Sequence, residues 1–158
     1  MVSIIMINFF YKIYNKIRRK IQKTLGFATL GVRAIVVNQQ KEILLVRHSY
    51  ESGWFLPGGG VDRNESIYAA VKRELMEETG IQVTGDPRLF SVYVNKMLGA
   101  ADYPFLFVVD QFSQVVAKSP EISELGWFKF HEIPDLTSPG SKRRLLEYFN
   151  NTAPAEKW

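Results

Sequence analysis

Between Gly58 and Ile81 the chain reads GGGVDRNESIYAAVKRELMEETGI, three glycines followed by a run that closes on Glu74, Glu77, Glu78 and Gly80. On an α-helix at about 100° per residue, these three glutamates fall within an arc of roughly 100° and share one face. Arg73, four residues before Glu77, pairs with one carboxylate and leaves the other two without a partner on their own turn. Hard oxygen donors gathered in this way suit Mg²⁺ or Mn²⁺, ions that keep several waters and are commonly shared with substrate phosphates. The glycines would let backbone approach such a metal or ligand closely. The competing reading is a plain solvated acidic face, since like charges at these spacings cost only about a few tenths of a kcal/mol per pair.

Such a helix needs an apolar side to anchor it, and Val71 and Leu75 supply one on the adjacent stripe. Strands are expected on either side of it. LGVRAIVVN, a polar turn at Gln39-Gln40-Lys41 and EILLVRH read as a hairpin, and further strands are expected at Arg88 to Lys96, Pro104 to Phe112 and Leu125 to Phe130. The central helix is expected from about Glu65 to Thr79, stopped by Gly80, and a last helix from Ser141 to Phe149. Strands before and after a central helix imply an α/β fold, a mixed sheet with helices packed on it.

The 158 residues, 46% of them hydrophobic, match the usual size of one domain with a single packed core. With no cysteine, disulfides and thiolate chemistry are excluded, and only His48 and His131 offer imidazole, so any metal must be held mainly by oxygen. The net charge of +4 is unevenly placed. Met1 to Leu25 carries Lys12, Lys16, Arg18, Arg19, Lys20 and Lys23 with no acid, leaving 14 bases against 16 acids elsewhere. Phe10, Ile13, Tyr14, Ile17, Ile21 and Leu25 recur at helical spacing in this segment, so residues 1–27 read as a basic amphipathic helix. Asn8 and Lys12 interrupt it well short of the roughly 18 apolar residues of a membrane span. Packing on its own domain, self-association and peripheral contact with an anionic membrane surface are the roles it suggests. Residues 28–150 then read as the globular domain and 151–158 as a tail. No stable nucleic-acid partner is expected, because the domain shows no interleaved stacking platforms. The location expected is the cytoplasm, with the inner membrane surface as the peripheral option.

Gly59, five residues, Glu65, seven residues and then REL-M-EETGI from Arg73 to Ile81 resemble the complete signature of the Nudix hydrolases, the MutT-like family. Seven fixed positions and two aliphatic ones give a chance match on the order of 1 in 10¹⁰ per start site, so coincidence is not a competitor. The resemblance extends to the Trp54-Phe55-Leu56-Pro57-Gly58-Gly59 approach and a late Trp127-Phe128 strand, covering roughly Ala28 to Phe149. It implies a Nudix α/β/α sandwich and metal-dependent hydrolysis of a nucleoside diphosphate linked to a further group, by water attack at phosphorus. The alternative is a module that keeps the fold for nucleotide binding or regulation without turnover. The likeness further implies Glu74, Glu77 and Glu78 as ligands of Mg²⁺, with Mn²⁺ able to substitute, and one of them as acceptor of the water's proton. Arg73 would orient a glutamate, a carbonyl of Gly58 or Gly59 would complete a metal shell, and Glu65 would organise the loop.

The resemblance also implies a further metal-ligating carboxylate from a later loop, and among Asp110, Glu121 and Glu124 it points to Glu121, which stands shortly before Trp127. Gly58, Gly59, Gly60 and Arg47 are the expected substrate contacts, Arg47 as a phosphate-holding guanidinium at the end of the second strand. His48 is a lesser candidate beside it, Trp54 and Phe55 could stack a base, and His131 reads as structural. The short signatures that separate substrate classes are missing: Lys96 or Met97 stands where ADP-ribose hydrolases tend to have proline, so the substrate stays open.

Overall fold

The computed structural model describes residues 28–97, 100–116 and 119–158. The basic helix expected over 1–27, with its membrane or self-association role, lies outside the described residues. Among those that are described, no helix is long and apolar enough to cross a membrane.

Strand β1 (Thr29–Val36) alternates between two cores. Val32, Ala34 and Val36 are fully buried against Ala70, Val71 and Leu75 of helix α1 (Ile67–Thr79), whereas Ile35 joins Leu145 of helix α2 (Pro139–Phe149) in a second cluster with Trp54, Leu56 and Tyr93. Helices thus cover both sides of the strands, the α/β/α arrangement expected. A strand buried on both faces needs apolar residues throughout, which is why LGVRAIVV shows no polar alternation beyond Arg33.

The expected hairpin is overturned. β1 and β2 (Ile43–His48) touch through a single bridge, Val37 to Ile43, closed by a turn in which the Asn38 side-chain oxygen accepts from Gln40 and Glu42 N–H. Beyond it the strands part. β1 pairs in parallel with β6 (Ala100–Val109), and β2 pairs antiparallel with β8 (Ile122–Phe128). Both runs are apolar on two faces and contribute to the same two cores, Val36 with Leu44 in one and Ile35 with Ile43 and Leu45 in the other, but each is paired within a different sheet. β6 also carries β4 (Arg88–Val92) and β5 (Asn95–Met97), both antiparallel, so the main sheet is mixed. β3 (Ile81–Val83) pairs with β7 (Phe112–Gln114) as a separate short ribbon.

Helix boundaries follow their caps. α1 begins at Ile67, because the Ser66 hydroxyl accepts from Ala69 N–H at 3.1 Å and leaves Glu65 in the loop. It ends where Gly80 turns left-handed at φ 71°, a conformation that favours glycine. α2 starts two residues earlier than expected, since Ser138 caps it and Pro139 fills the first helical position. The strand expected from Arg88 to Lys96 breaks at Tyr93 and Val94. Val94 N–H donates to the Glu156 carbonyl at 2.8 Å, and Trp158 N–H returns to Val94 O at 3.1 Å.

Residues 151–158, expected as a tail, therefore clasp the second core. Arg144, only 1% exposed, donates to the Lys157 carbonyl and to Glu147 and lies 4.2 Å from the Tyr93 ring centroid, while Trp158 meets Tyr93 edge-on. A Cβ on Gly140 would strike Nε1 of Trp158 and stand 3.0 Å from its Cδ1. In an open helix, Gly→Ala stabilises by about 0.5–1 kcal/mol. We predict that Gly140→Ala instead loses about 1–3 kcal/mol in urea unfolding, and that the loss disappears in a Trp158→Ala background.

Candidate active site

The glycine loop is fixed to β1 by alternate backbone bonds. Ala34 N–H donates to Pro57 O at 3.0 Å, Val32 N–H to Gly59 O at 2.9 Å and Val61 N–H to Leu30 O at 3.0 Å. Its approach is held in the same way: Val46 and Phe55 exchange both backbone bonds at 2.9 Å, and Leu56 N–H donates to the Ser141 hydroxyl. Gly58 takes φ 135°, and a Cβ there would run into the Val32 carbonyl and stand 3.0 Å from the Arg33 Cα, so no other residue fits. A Cβ on Gly59 would lie 2.5 Å from the Glu74 carboxylate. The loop and the acidic end of α1 are thus in direct contact, backbone against carboxylate.

Arg73 joins the two. Its Nε and Nη2 donate to the two oxygens of Glu65 at 2.8 and 2.9 Å, a bidentate fork. Nη1 donates to Glu74 at 2.8 Å and to Glu77 at 3.3 Å, and Nη2 also reaches the Gly60 carbonyl at 2.9 Å. Glu65 accepts from Asp62 N–H as well, and these donors hold its carboxyl well below the usual carboxylate range. It ties the loop to the helix.

The other glutamates differ by burial. Glu77 keeps 59% of its side chain exposed, Glu74 14%, and Glu78 is buried. Glu78 Oε2 accepts from Gly58 N–H at 2.8 Å. That bond does not offset desolvation, which pushes its carboxyl up to about 7, with the nearby charges of Glu74 and Glu121 adding to the rise. Burial raises Glu74 too, against the opposing pull of Arg73.

The expected partners separate as follows. Glu121 is brought to Glu78, whose ionisation it disfavours, and its carbonyl accepts from Ser49 N–H. Glu124 faces Arg47 across the β2–β8 pair, and the two form an ion pair at 2.9 Å with both side chains substantially exposed. The Arg47 guanidinium also lies 5.7 Å from the Trp54 ring centroid. Asp110 is exposed past the end of β6. Trp54 is buried in the second core, edge-on to Phe128, while Phe55 and Tyr50 flank the His48 ring. Burial, then Arg33, lower His48 to about 4, so it is neutral at physiological pH. His131 is exposed on a surface turn.

Arg33 is the residue that the sequence reading passed over. It sits on β1 between the two residues bonded to the glycine loop, and its charge acts on Glu74, Glu78 and His48. An arginine inside an apolar run was the available signal.

In chemistry the donor set fits a divalent cation, being all oxygen and including a buried carboxyl that is costly to ionise alone. Their present arrangement does not enclose one: among the described residues, no three His, Asp or Glu side chains are grouped closely enough to hold an ion. Glu78 carries a pH signature. Its folded value of about 7 exceeds the ordinary 4.5, so its contribution to stability is fully present below about 4.5 and is lost as pH rises through 7. For metal-free protein we expect the melting temperature to fall from pH 5 to pH 8, with a smaller fall in Glu78→Gln. Mg²⁺ at 100 times its Kd should restore about 2.7 kcal/mol to wild type at pH 8.

Comparison with known proteins identifies the family. The model of the NUDIX domain matches residues 28–149. A Bacillus subtilis (strain 168) protein named "Putative 8-oxo-dGTP diphosphatase" is 31% identical over 122 residues, covering 77% of this chain and 80% of the relative. A MutT-like protein of Streptomyces ambofaciens is 29% identical, with 80% of each chain covered. The crystal structure of a MutT NUDIX hydrolase from Burkholderia pseudomallei superposes with a TM-score of 0.67 at 27% identity, covering 75% of this chain and 96% of that one. With the domain model matched over 28–149 and relatives named as diphosphatase and MutT-like covering four fifths of their own length, the chain belongs to the NUDIX domain family and is a pyrophosphohydrolase of the Nudix type.

Proposed function

We propose that the protein hydrolyses the diphosphate bridge of a nucleotide-like substrate, a nucleoside diphosphate linked to a further group, with Mg²⁺ held by Glu74, Glu77 and Glu78. Glu121 and the Gly59 carbonyl complete the donor set. The observation that carries this reading is Glu78. A carboxyl taken out of water against a glycine-loop N–H, beside Glu74 and Glu121, is a poor structural choice unless a cation or substrate meets its charge. When bound, such metals neutralise phosphate charge and polarise water.

The chain's own residues supply the rest. The glycine loop offers backbone at close range to the diphosphate, since side chains are excluded at Gly58 and Gly59. Arg73 keeps Glu74 and Glu77 oriented through the bonds from its Nη1. In the reaction a water oxygen bonds to phosphorus, the bridging P–O bond breaks, and a glutamate of the cluster accepts the water's proton. Little covalent help is required, because phosphoryl transfer depends mainly on positioning and charge neutralisation. The name of the Bacillus subtilis relative makes 8-oxo-dGTP the first compound to try.

The test is phosphate release over (d)NTPs including 8-oxo-dGTP, coupled through pyrophosphatase, and over nucleotide sugars, ADP-ribose and dinucleoside polyphosphates, coupled through alkaline phosphatase acting on the phosphomonoester products, each with Mg²⁺ or Mn²⁺. We expect Glu77→Gln and Glu78→Gln to lower kcat by on the order of 10²–10⁴-fold with an unchanged circular dichroism spectrum. Turnover at the wild-type rate by either variant would remove it from the metal set. Arg73→Ala should lose activity and stability together, because it leaves Glu74 without its guanidinium donor and Glu65 with only the Asp62 N–H.

A further inference from the structure

Beside the glycine loop and strand β2, two arginines are engaged with carboxylates. Arg73 is committed to Glu65, Glu74, Glu77 and the Gly60 carbonyl, and Arg47 is paired with Glu124. Arg33 is different. Among the described residues its guanidinium makes one hydrogen bond, from Nη1 to the Val32 carbonyl at 2.9 Å, and no ion pair. Four of its five N–H donors are therefore open.

Its position is fixed by backbone. Val32 and Ala34, its neighbours on β1, donate to Gly59 O and Pro57 O, so Arg33 sits directly across from Gly58. The same Gly58 holds Glu78 by its N–H. A guanidinium with open donors and a buried carboxyl thus meet the glycine loop at one residue. Direct pairing does not account for Arg33: among the described residues it forms no ion pair with Glu78 or with any other acid, and its one hydrogen bond goes to backbone.

We propose that Arg33 is a substrate ligand, its open guanidinium edge receiving non-bridging oxygens of the substrate's diphosphate opposite the carboxylate cluster. This inference rests on the diphosphate-hydrolase reading above. The planar fork matches two phosphate oxygens at once, which an ammonium cannot reproduce. It also gives the substrate a protein-borne positive charge that is independent of metal. The carboxylates and Arg33 then divide the work, the former selecting cations and the latter the anion.

Calorimetric titration of the full chain with methylenediphosphonate, a non-hydrolysable diphosphate, in the presence of Mg²⁺ tests this, alongside titration with Mg²⁺ alone. Arg33→Gln should bind the diphosphonate at least about tenfold more weakly, and Arg33→Lys about threefold more weakly. Both should keep Mg²⁺ affinity equal or tighter, since a positive charge beside the carboxylates is removed or displaced. Wild-type diphosphonate affinity in Arg33→Gln, with tighter Mg²⁺ binding, would make Arg33 a mere charge compensator and overturn the proposal. Should Arg33→Gln fail to fold, the Lys variant decides alone, and unchanged affinity there overturns it too. A wild-type protein that binds Mg²⁺ but not diphosphonate would instead bring down the diphosphate reading on which the proposal stands.

Discussion

Taking several carboxylates out of water at one place is the constraint around which this molecule is arranged. Each buried carboxylate carries a penalty of several kcal/mol unless donors or charges meet it. Arg73 meets most of this demand, binding Glu65 through a fork, Glu74 through a short bond and Glu77 through a longer one. The same guanidinium holds the Gly60 carbonyl, so the helix cannot shift without the loop. Glu78 lies beyond its reach and has only a backbone N–H. Glu65 is thus amply supplied with donors, while Glu78 is left with one.

The framework that bears this load is the two-sided sheet. β1 packs on α1 through Val32, Ala34 and Val36 and on the opposite core through Ile35. The glycine loop lies along β1, so the strand that anchors the helix also anchors the loop. On the far side the Arg144, Tyr93 and Trp158 cluster ties α2 to the sheet through the last residues of the chain. Arg144 is fully buried there, and its carbonyl, carboxylate and ring partners together make that burial tolerable.

Local sequence carried the helix and the acidic face well, because both depend on spacing along one element. Ser66 and Gly80 mark the ends of α1, and Ser138-Pro139 is an equally plain start for α2 once read as cap and first turn. Strand partnership was not legible. LGVRAIVVN and EILLVRH have the turn and composition of a hairpin, yet they take partners in different sheets, a decision made by the whole core. Arg33 and Arg47 show the same limit at the site. The arginine at a strand end looks more available than one inside an apolar run. Only the β2–β8 register, which sets Arg47 opposite Glu124, and the pairing of the glycine loop with β1 reverse that order. The clasp by residues 151–158 was invisible for a related reason, since its contacts are carbonyls and rings distributed over three separate segments.

The bonds from Leu30, Val32 and Ala34 to the glycine loop make that loop an added rung of the sheet, although its composition suggests pliancy. Glycine there gives room for approach, and the ladder withdraws the freedom that glycine would otherwise have. On the proposed function, a ligand at Pro57–Val61 would meet backbone already held by the ladder, with little conformational entropy left to quench. Binding energy that a mobile loop would dissipate in ordering itself remains available for distinguishing the transition state from the ground state.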